Sequence, residues 1–397
     1  MKRLRRRVLI VVLVVAVVAA AVGAFVQLST RHALERAEVF QFRRMQVARQ
    51  GEDGPYRFFY VTNRTPAEAD GALEDRFGNA RQGGLTYGFF DTEIEPSLGI
   101  GMLINPTEWV QNEEIQLRKV QSLTRQGLVE ELKKQVASSP YRSVLVNVNG
   151  FRERFPSALR KTAFLAHVLD IDSPMLVFDW PGDQGSTARG YRRAQRVAQD
   201  SGADLAETIK LILDDVRPER MWLVANSMGG EVVVSAFTLL HQEPDLADRE
   251  TEIEDVVLTA PDVSHQRFGE QFKEEISSLA DNLTVYVSSN DRALLMSRIL
   301  NRGRRLGEST VDPGNPDQSD EAAKVLDMVA SDSSLVTLVD VTPVNRTRNF
   351  HNFSLETPEF FDDLFLRLTN AETPHSRLQY RVMTPRGAQY WVLTRGP

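Results

Sequence analysis

The sequence predicts an α/β protein with a mostly parallel β-sheet and helices on both faces. Short runs rich in Val, Leu, Ile and Phe recur from residue 57 onward, without the strict alternation of a sheet that has one face in water. Longer segments with helical spacing of apolar residues lie between these runs. This repeated alternation of strand and helix favours a parallel sheet over a β-sandwich or a helical bundle.

The composition excludes several classes of protein. The 397 residues include 47 Lys and Arg against 54 Asp and Glu, so the formal net charge is −7. No extended basic face is expected from the distribution of positive charge, which argues against a nucleic-acid partner. Cysteine is absent, which excludes a disulfide framework, a zinc–thiolate or iron–sulfur site and a cysteine nucleophile.

The amino terminus has the pattern of a membrane anchor. Five of residues 2–7 are basic, and an uninterrupted apolar run extends from Val8 to Val26. As a helix this run would cover roughly 28 Å, close to the ~30 Å hydrocarbon core of a membrane. We expect residues 1–27 to form a cytoplasmic basic tip and a single-pass signal anchor in the inner (cell) membrane, with the remaining chain periplasmic. A cleaved signal peptide and a buried soluble helix are the alternatives.

Residues 28–55 are polar and are expected to form a stalk, and residues 56–397 are expected to form one domain. The predicted strands are Phe58–Thr62, Tyr87–Phe90, Ser143–Val148, Met175–Asp179, Met221–Ala225, Asp255–Thr259, Leu283–Val287 and Leu335–Val341, with a further candidate at Gln389–Thr394. The predicted helices are Gln126–Ala137, Ser157–Leu169, Gly190–Leu213, Met228–Leu240, Phe268–Leu279 and Pro358–Leu368. The first two strands precede the alternation and could form an antiparallel edge, and residues 301–324 are expected to form a long surface loop.

The segment around Ser227 carries the most informative chemical signal. A buried strand ends at Ala225, Ser227 follows it, and a helix is predicted from Met228. In a nucleophile elbow, a serine occupies a strained strand-to-helix turn, and small residues two positions before and after it let strand and helix approach closely. Ala225 and Gly229 fill these places. The backbone N–H of Met228 can stabilise an oxyanion, although a plain serine N-cap is the alternative interpretation.

Three further segments fit the same chemistry. An earlier buried strand ends in Asn149-Gly150, and the backbone N–H of Phe151 is the candidate second oxyanion donor. Asp291 follows the second strand after the elbow and can orient a histidine. His351 lies in a predicted loop beyond the last core strand. The chain order of Ser227, Asp291 and His351 matches the order Ser–Asp–His of an α/β-hydrolase triad.

Each of these segments also has an ordinary structural interpretation. Asn-Gly pairs form tight turns, an Asp after a strand can cap a helix, and a loop histidine can simply lie at the surface. Asp262, after the strand that follows the elbow, is an alternative acid, and His265 and His375 are alternative bases. No spacing of His, Asp and Glu suggests a metal site, and no dinucleotide or phosphate-binding loop occurs, so we expect neither metal nor cofactor.

Several motifs of the chain occur together. They are Phe59-Tyr-Val-Thr-Asn-Arg64, Val177-Phe-Asp-Trp-Pro181, Ala225-Asn-Ser-Met-Gly229, Ala260-Pro-Asp262 and Ser289-Asn-Asp-Arg-Ala-Leu294. In this combination, over roughly residues 57–370, the sequence resembles a bacterial family of α/β-hydrolases of unknown function that is related to esterases and lipases. The resemblance implies the α/β-hydrolase fold. Two positions depart from the family pattern, because Asn149 and Asn226 stand where the family has histidine.

Taken together, the sequence predicts a membrane-anchored serine hydrolase, a carboxylic-ester hydrolase (EC 3.1.1 class) acting through an acyl-enzyme on a small-molecule or lipid ester. Ser227 is the expected nucleophile, His351 the base and Asp291 the acid, with the N–H groups of Met228 and Phe151 holding the oxyanion. A non-catalytic binding or scaffold protein of the cell envelope on the same fold is the alternative, which the two asparagine replacements motivate. No pattern in the sequence selects an acyl chain length or an oligomeric state.

Overall fold

One mixed β-sheet organises the chain. The computed structural model describes residues 45–52, 54–67, 76–94, 115–243, 253–264, 268, 275–276, 278–288, 291, 336–345, 353–369, 379–383 and 389–395. Within these residues the strands are β1 (Tyr56–Pro66), β2 (Phe77–Ile94), β3 (Ile115–Leu123), β4 (Ser143–Val148), β5 (Met175–Asp179), β6 (Arg220–Asn226), β7 (Ile253–Thr259), β8 (Ala280–Val287), β9 (Val336–Asp340), β10 (Gln379–Met383) and β11 (Gln389–Leu393). The helices are α1 (Arg125–Ser138), α2 (Phe155–Leu169), α3 (Ala188–Asp200), α4 (Gly202–Leu211), α5 (Gly229–His241), α6 (Phe353–Glu356) and α7 (Pro358–Thr369), and a π-helical turn, Ile212–Val216, follows α4.

The strands lie in the order β10-β11-β9-β8-β7-β6-β4-β5-β1-β2-β3. From β11 to β1 every neighbouring pair is parallel, whereas β10 at one end and β2 and β3 at the other pair antiparallel. The predicted mostly parallel sheet with flanking helices is therefore confirmed. The expectation for the first two strands is confirmed in that β1 and β2 pair antiparallel. However, β1 also pairs parallel with β5, and the strand at the edge is β3, which pairs with β2.

The core lies in two apolar layers, one on each face of the sheet. Along β4, Val144, Val146 and Val148 pack into one layer, and Leu145 between them packs into the other. All six residues of β4 and all five of β5 are buried. Burial on both faces explains why these strands are continuous apolar runs rather than alternating ones.

One predicted helix is wrong. The segment predicted as Gly190–Leu213 forms two helices, α3 and α4, which meet at Ser201. The break brings Gly202 against α5, where a Cβ on Gly202 would lie 2.4 Å from the Cβ of Ser235. The close approach to α5 therefore requires glycine at the start of α4, and helical periodicity contains no sign of this contact.

Several predictions concern residues outside the described part of the chain. They are the anchor at residues 1–27, most of the stalk, most of the Phe268–Leu279 helix and the 301–324 loop. Among the described residues, no helix is long and apolar enough to cross a membrane.

A buried carboxyl group on β7 generates a prediction for stability. Asp255 is 4% exposed, and burial, reinforced by the negative charge of Glu254, raises its pKa to about 7. In the unfolded chain an aspartate has a pKa of about 3.9. Between these two values the folded protein holds a proton that the unfolded chain has released, so stability is lost as the pH rises through about 7.

Replacing Asp255 by asparagine should therefore flatten the pH dependence of folding. At pH 8 the Asp255→Asn variant should be more stable than the wild type by up to about 4 kcal/mol, the equivalent of a shift of about three pKa units. Urea unfolding at pH 5 and pH 8 measures this difference. Asp200→Asn, a change to an exposed carboxylate at the end of α3, is the matched control and should leave the pH dependence of the wild type unchanged. If the free energy of unfolding changed equally with pH in the wild type and in Asp255→Asn, the prediction would be contradicted.

Candidate active site

Ser227 occupies a strained turn between β6 and α5. Strand β6 ends at Asn226, helix α5 begins at Gly229, and Ser227 between them has a φ of 53°. This left-handed conformation is costly for a residue with a side chain and persists only where the surroundings enforce it. Here the Ser227 N–H donates to Thr259 O at 2.9 Å, and Ser227 O accepts from Gly230 N at 3.0 Å. The turn has the predicted geometry of a nucleophile elbow.

The end of β4 lies in direct contact with this turn. A Cβ on Gly229 would lie 2.6 Å from Val148 O and 2.8 Å from Asn149 O. A Cβ on Gly150 would lie 2.9 Å from the Cβ of Ser227. Both positions therefore require glycine, and the strand end and the elbow share one small volume.

The topology of the sheet opens a crevice at this point. Strand β4 lies between β5 and β6, so the chain leaves β4 to one side and later returns on the other. In open parallel sheets, ligands bind outside the carboxyl ends of the strands at such a switch point. Gly150 follows the carboxyl end of β4, and Ser227 follows that of β6.

The structure places both predicted oxyanion donors beside Ser227. Met228 directly follows Ser227 at the start of α5, and Phe151 directly follows Gly150, which touches Ser227. The ring of Phe151 packs edge-on against Tyr191 of α3, with centroids 5.6 Å apart. The two N–H groups thus belong to the two segments that meet at Ser227, as an oxyanion hole requires.

Two buried carboxylates lie after the neighbouring strands. Asp262 follows β7 and is 4% exposed, and its N–H donates to Ser227 O at 3.0 Å. Its carboxylate accepts a 2.6 Å hydrogen bond from the phenol of Tyr191. Asp291 lies just beyond β8, is 3% exposed, and its N–H donates to Ser288 O at 3.4 Å. Both candidate acids therefore lie at the carboxyl edge of the sheet, and Asp262 has a tyrosine partner.

The predicted base is not among the described residues. His351 lies outside them, as do His32, His265 and His375. The described His241 is the last residue of α5, which begins at the elbow and has 13 residues, so it lies roughly 20 Å from Ser227. The described His167 lies in the last turn of α2, where burial lowers its pKa to about 4.

The two asparagines that replace family histidines are both engaged in hydrogen bonds. Asn226 Nδ2 donates to Thr259 Oγ1 at 3.0 Å and to Ser354 Oγ of α6 at 2.9 Å. Asn149 Nδ2 donates to Ala158 O of α2 at 3.2 Å. Each side chain therefore ties the elbow or the strand end beside it to a helix. Among the described residues no group of three or more His, Asp or Glu could hold a metal ion.

A family model matches residues 124–364, which include β4, the elbow and both candidate acids. The chain belongs to the alpha/beta hydrolases of unknown function (DUF900). The α/β-hydrolase fold predicted from the resemblance is thus shown, and the family assignment is confirmed. No curated protein matches the chain.

Solved structures of two esterases and a lipase-esterase related protein also resemble the chain at low identity. One is a C6-C4 SN3 inhibited esterase B from Lactobacillus rhamnosis, with 12% identity, a TM-score of 0.33, and coverage of 88% of this chain and 97% of that one. Another is a lipase-esterase related protein from Clostridium acetobutylicum, with 16% identity, a TM-score of 0.22, and coverage of 51% and 74%. Thermogutta terrifontis esterase 2, phosphonylated by cyclosarin, has 12% identity, a TM-score of 0.30, and coverage of 59% and 86%.

The close packing at the elbow predicts a large effect for one added methyl group. In Gly229→Ala the new Cβ would meet two backbone carbonyls of the β4 end, which cannot turn away as side chains do. We expect a loss of about 2–3 kcal/mol in the free energy of unfolding, the usual cost of overpacking a filled site. Chemical denaturation measures it.

Gly83→Ala is the matched control for this substitution. Gly83 lies on β2 with nothing within 4 Å of an added Cβ, so its stability should change by less than about 0.5 kcal/mol. A Gly229→Ala variant as stable as Gly83→Ala would refute the close approach of elbow and strand.

Proposed function

We propose that the chain is a membrane-anchored serine hydrolase that cleaves carboxylic esters through an acyl-enzyme. The observation that carries the proposal is the strained Ser227 turn, which holds the serine at the switch point against the end of β4. A structural N-cap needs neither the left-handed conformation nor the two close glycine contacts. A strained nucleophile beside fixed N–H donors suits acyl transfer.

Each residue has a role in this mechanism. Ser227 Oγ attacks the carbonyl carbon while His351 takes its proton, and the N–H groups of Met228 and Phe151 bind the oxyanion. The histidine then protonates the leaving alcohol, and later activates the water that releases the acid. Asp291 holds the imidazole in the required tautomer and stabilises its charged form. No cofactor takes part.

The hydrogen bond between α6 and the elbow supports His351 as the base. Ser354 Oγ accepts from Nδ2 of Asn226, the residue immediately before the nucleophile. His351 precedes Ser354 by three residues, so covalent geometry keeps its Cα within about 11 Å of that of Ser354. His265 is similarly tethered, three residues after Asp262, and is the alternative that mutagenesis must test.

The membrane part of the proposal rests on residues 1–27. Their basic tip and apolar run would anchor the enzyme with its domain in the periplasm, near the membrane surface. An anchored enzyme in this place can reach lipid esters as well as small soluble esters. Both belong to the proposed substrate class.

An activity-based probe tests the nucleophile. In the full-length chain a fluorophosphonate should label Ser227 and no other serine, since only an activated serine reacts. Ser227→Ala and His351→Ala should abolish labelling and reduce ester hydrolysis at least about 10³-fold. Gel fluorescence and mass spectrometry of the labelled peptide report the outcome.

Ser235→Ala is the matched control, because Ser235 is a buried serine on α5 whose hydroxyl donates to Glu231 O at 2.9 Å. It should label like the wild type. A folded wild-type protein that does not react would favour the non-catalytic binding protein on the same fold. If His351→Ala were still labelled and His265→Ala were not, His265 would be the base.

A pair of substitutions distinguishes the two candidate acids. Asp291→Asn should lower kcat by about 10²–10⁴-fold, because an amide at the acid position stabilises the wrong histidine tautomer. Asp262→Asn should stay within about tenfold of the wild type, since an amide oxygen can still accept the bond from Tyr191. Steady-state hydrolysis of p-nitrophenyl butyrate measures both. The reverse ranking would make Asp262 the acid.

A further inference from the structure

A fully buried arginine lies behind the candidate site, at the end of β1. Arg64 is 0% exposed, and its Nε and Nη2 donate to Asp179 Oδ2 at 2.7 Å and Oδ1 at 3.1 Å. Thr62 donates to the same carboxylate at 2.7 Å. A buried ion pair is costly to desolvate and persists where its geometry is satisfied on every side. Besides neutralising Asp179, the guanidinium donates hydrogen bonds to other groups.

The same guanidinium binds the loops after two different strands. Arg64 Nη2 donates to Glu153 O, in the loop after β4, at 2.7 Å. It also donates to Trp180 O, in the loop after β5, at 2.6 Å. Through these hydrogen bonds Arg64 links the two loops to each other and to β1. A lysine, with one compact ammonium, cannot reproduce this fork.

The loop after β4, residues 149–154, is held on both sides of the proposed oxyanion donor Phe151. Before it, Asn149 O accepts from Trp180 Nε1 at 2.8 Å. After it, Arg152 N donates to Gly182 O at 3.0 Å. The Arg64 contact with Glu153 O comes one residue later. All three hydrogen bonds are made by the loop after β5 or by Arg64, which is itself bonded to that loop.

We propose that Arg64 is a positioning residue that fixes the Phe151 N–H in the oxyanion hole, an inference that rests on the proposed hydrolase function. Oxyanion donors contribute to rate because they are held in place before charge develops on the substrate. Loosening the 149–154 loop would let the Phe151 N–H move away from the developing oxyanion. Arg64 itself touches no reacting atom, so its effect appears in the transition state rather than in substrate binding.

The test compares Arg64→Lys with Arg57→Lys in the full-length chain. Arg57 is the matched control, because it lies on the same strand and makes a forked pair with Asp91 at 2.8 and 3.0 Å, at the other end of β1. Arg64→Lys should lower kcat for p-nitrophenyl butyrate by about 10–100-fold and leave KM within about threefold. The fluorophosphonate labelling rate should fall by a similar factor. Arg57→Lys should leave both unchanged, and the melting temperatures show how far each variant is destabilised.

The outcomes separate this inference from the proposed function. If the wild type reacts at Ser227 and a folded Arg64→Lys retains its kcat, the positioning role is refuted and the hydrolase proposal stands. If the wild type does not react at Ser227, both are refuted together. If Arg64→Lys does not fold, Trp180→Phe decides the question, since it removes the Nε1 bond to Asn149 O and leaves the Arg64 side chain in place. A lower kcat at constant KM in that variant supports the positioning role, and an unchanged kcat overturns it.

Discussion

The candidate site depends on the close approach between the elbow and the end of β4. Strands β4 and β6 are paired in parallel register up to Val148 and Ala225, and the next residues of both chains must turn away within the same small volume. Glycine at positions 150 and 229 makes this possible. The same approach places the proposed nucleophile Ser227 beside the loop that carries Phe151, so one packing constraint accounts for the arrangement of the candidate site.

The strain at Ser227 is sustained by the interior of the sheet. The strands around it are buried on both faces, and their apolar layers hold β4, β6 and β7 in fixed register. Polar groups collect where these strands end, and the structure pairs them there, as Asp262 with Tyr191 and Asp179 with Arg64. The buried strands and the paired polar groups at their ends together hold the residues of the candidate site in place. A site held in this way is preorganised for a reaction.

The sequence was most informative where burial is greatest. Strands β4 and β5 were predicted with the bounds that the structure has, because burial on both faces leaves an unbroken apolar run. Strands β3 and β10 were not predicted, since they form the two edges of the sheet and few of their residues are buried. The elbow was predicted because its requirement for small residues is local. The break at Ser201 was not predicted, because buried residues recur at helical spacing on both sides of it.

The same distinction explains which site residues were missed. Arg64 lies in a motif that the sequence analysis noted, yet its partner Asp179 is 115 residues away, and no spacing rule joins them. Asn226 was treated as a departure from the family pattern that put catalysis in question. In the structure its amide ties the residue before the nucleophile to Ser354. An amide does not titrate, so this bond keeps its donor at every pH, whereas a histidine there would change its charge near neutrality. Asparagine at position 226 therefore keeps a hydrogen bond to α6 beside the proposed nucleophile and places no titrating group there. This arrangement fits a working site better than a degenerate one.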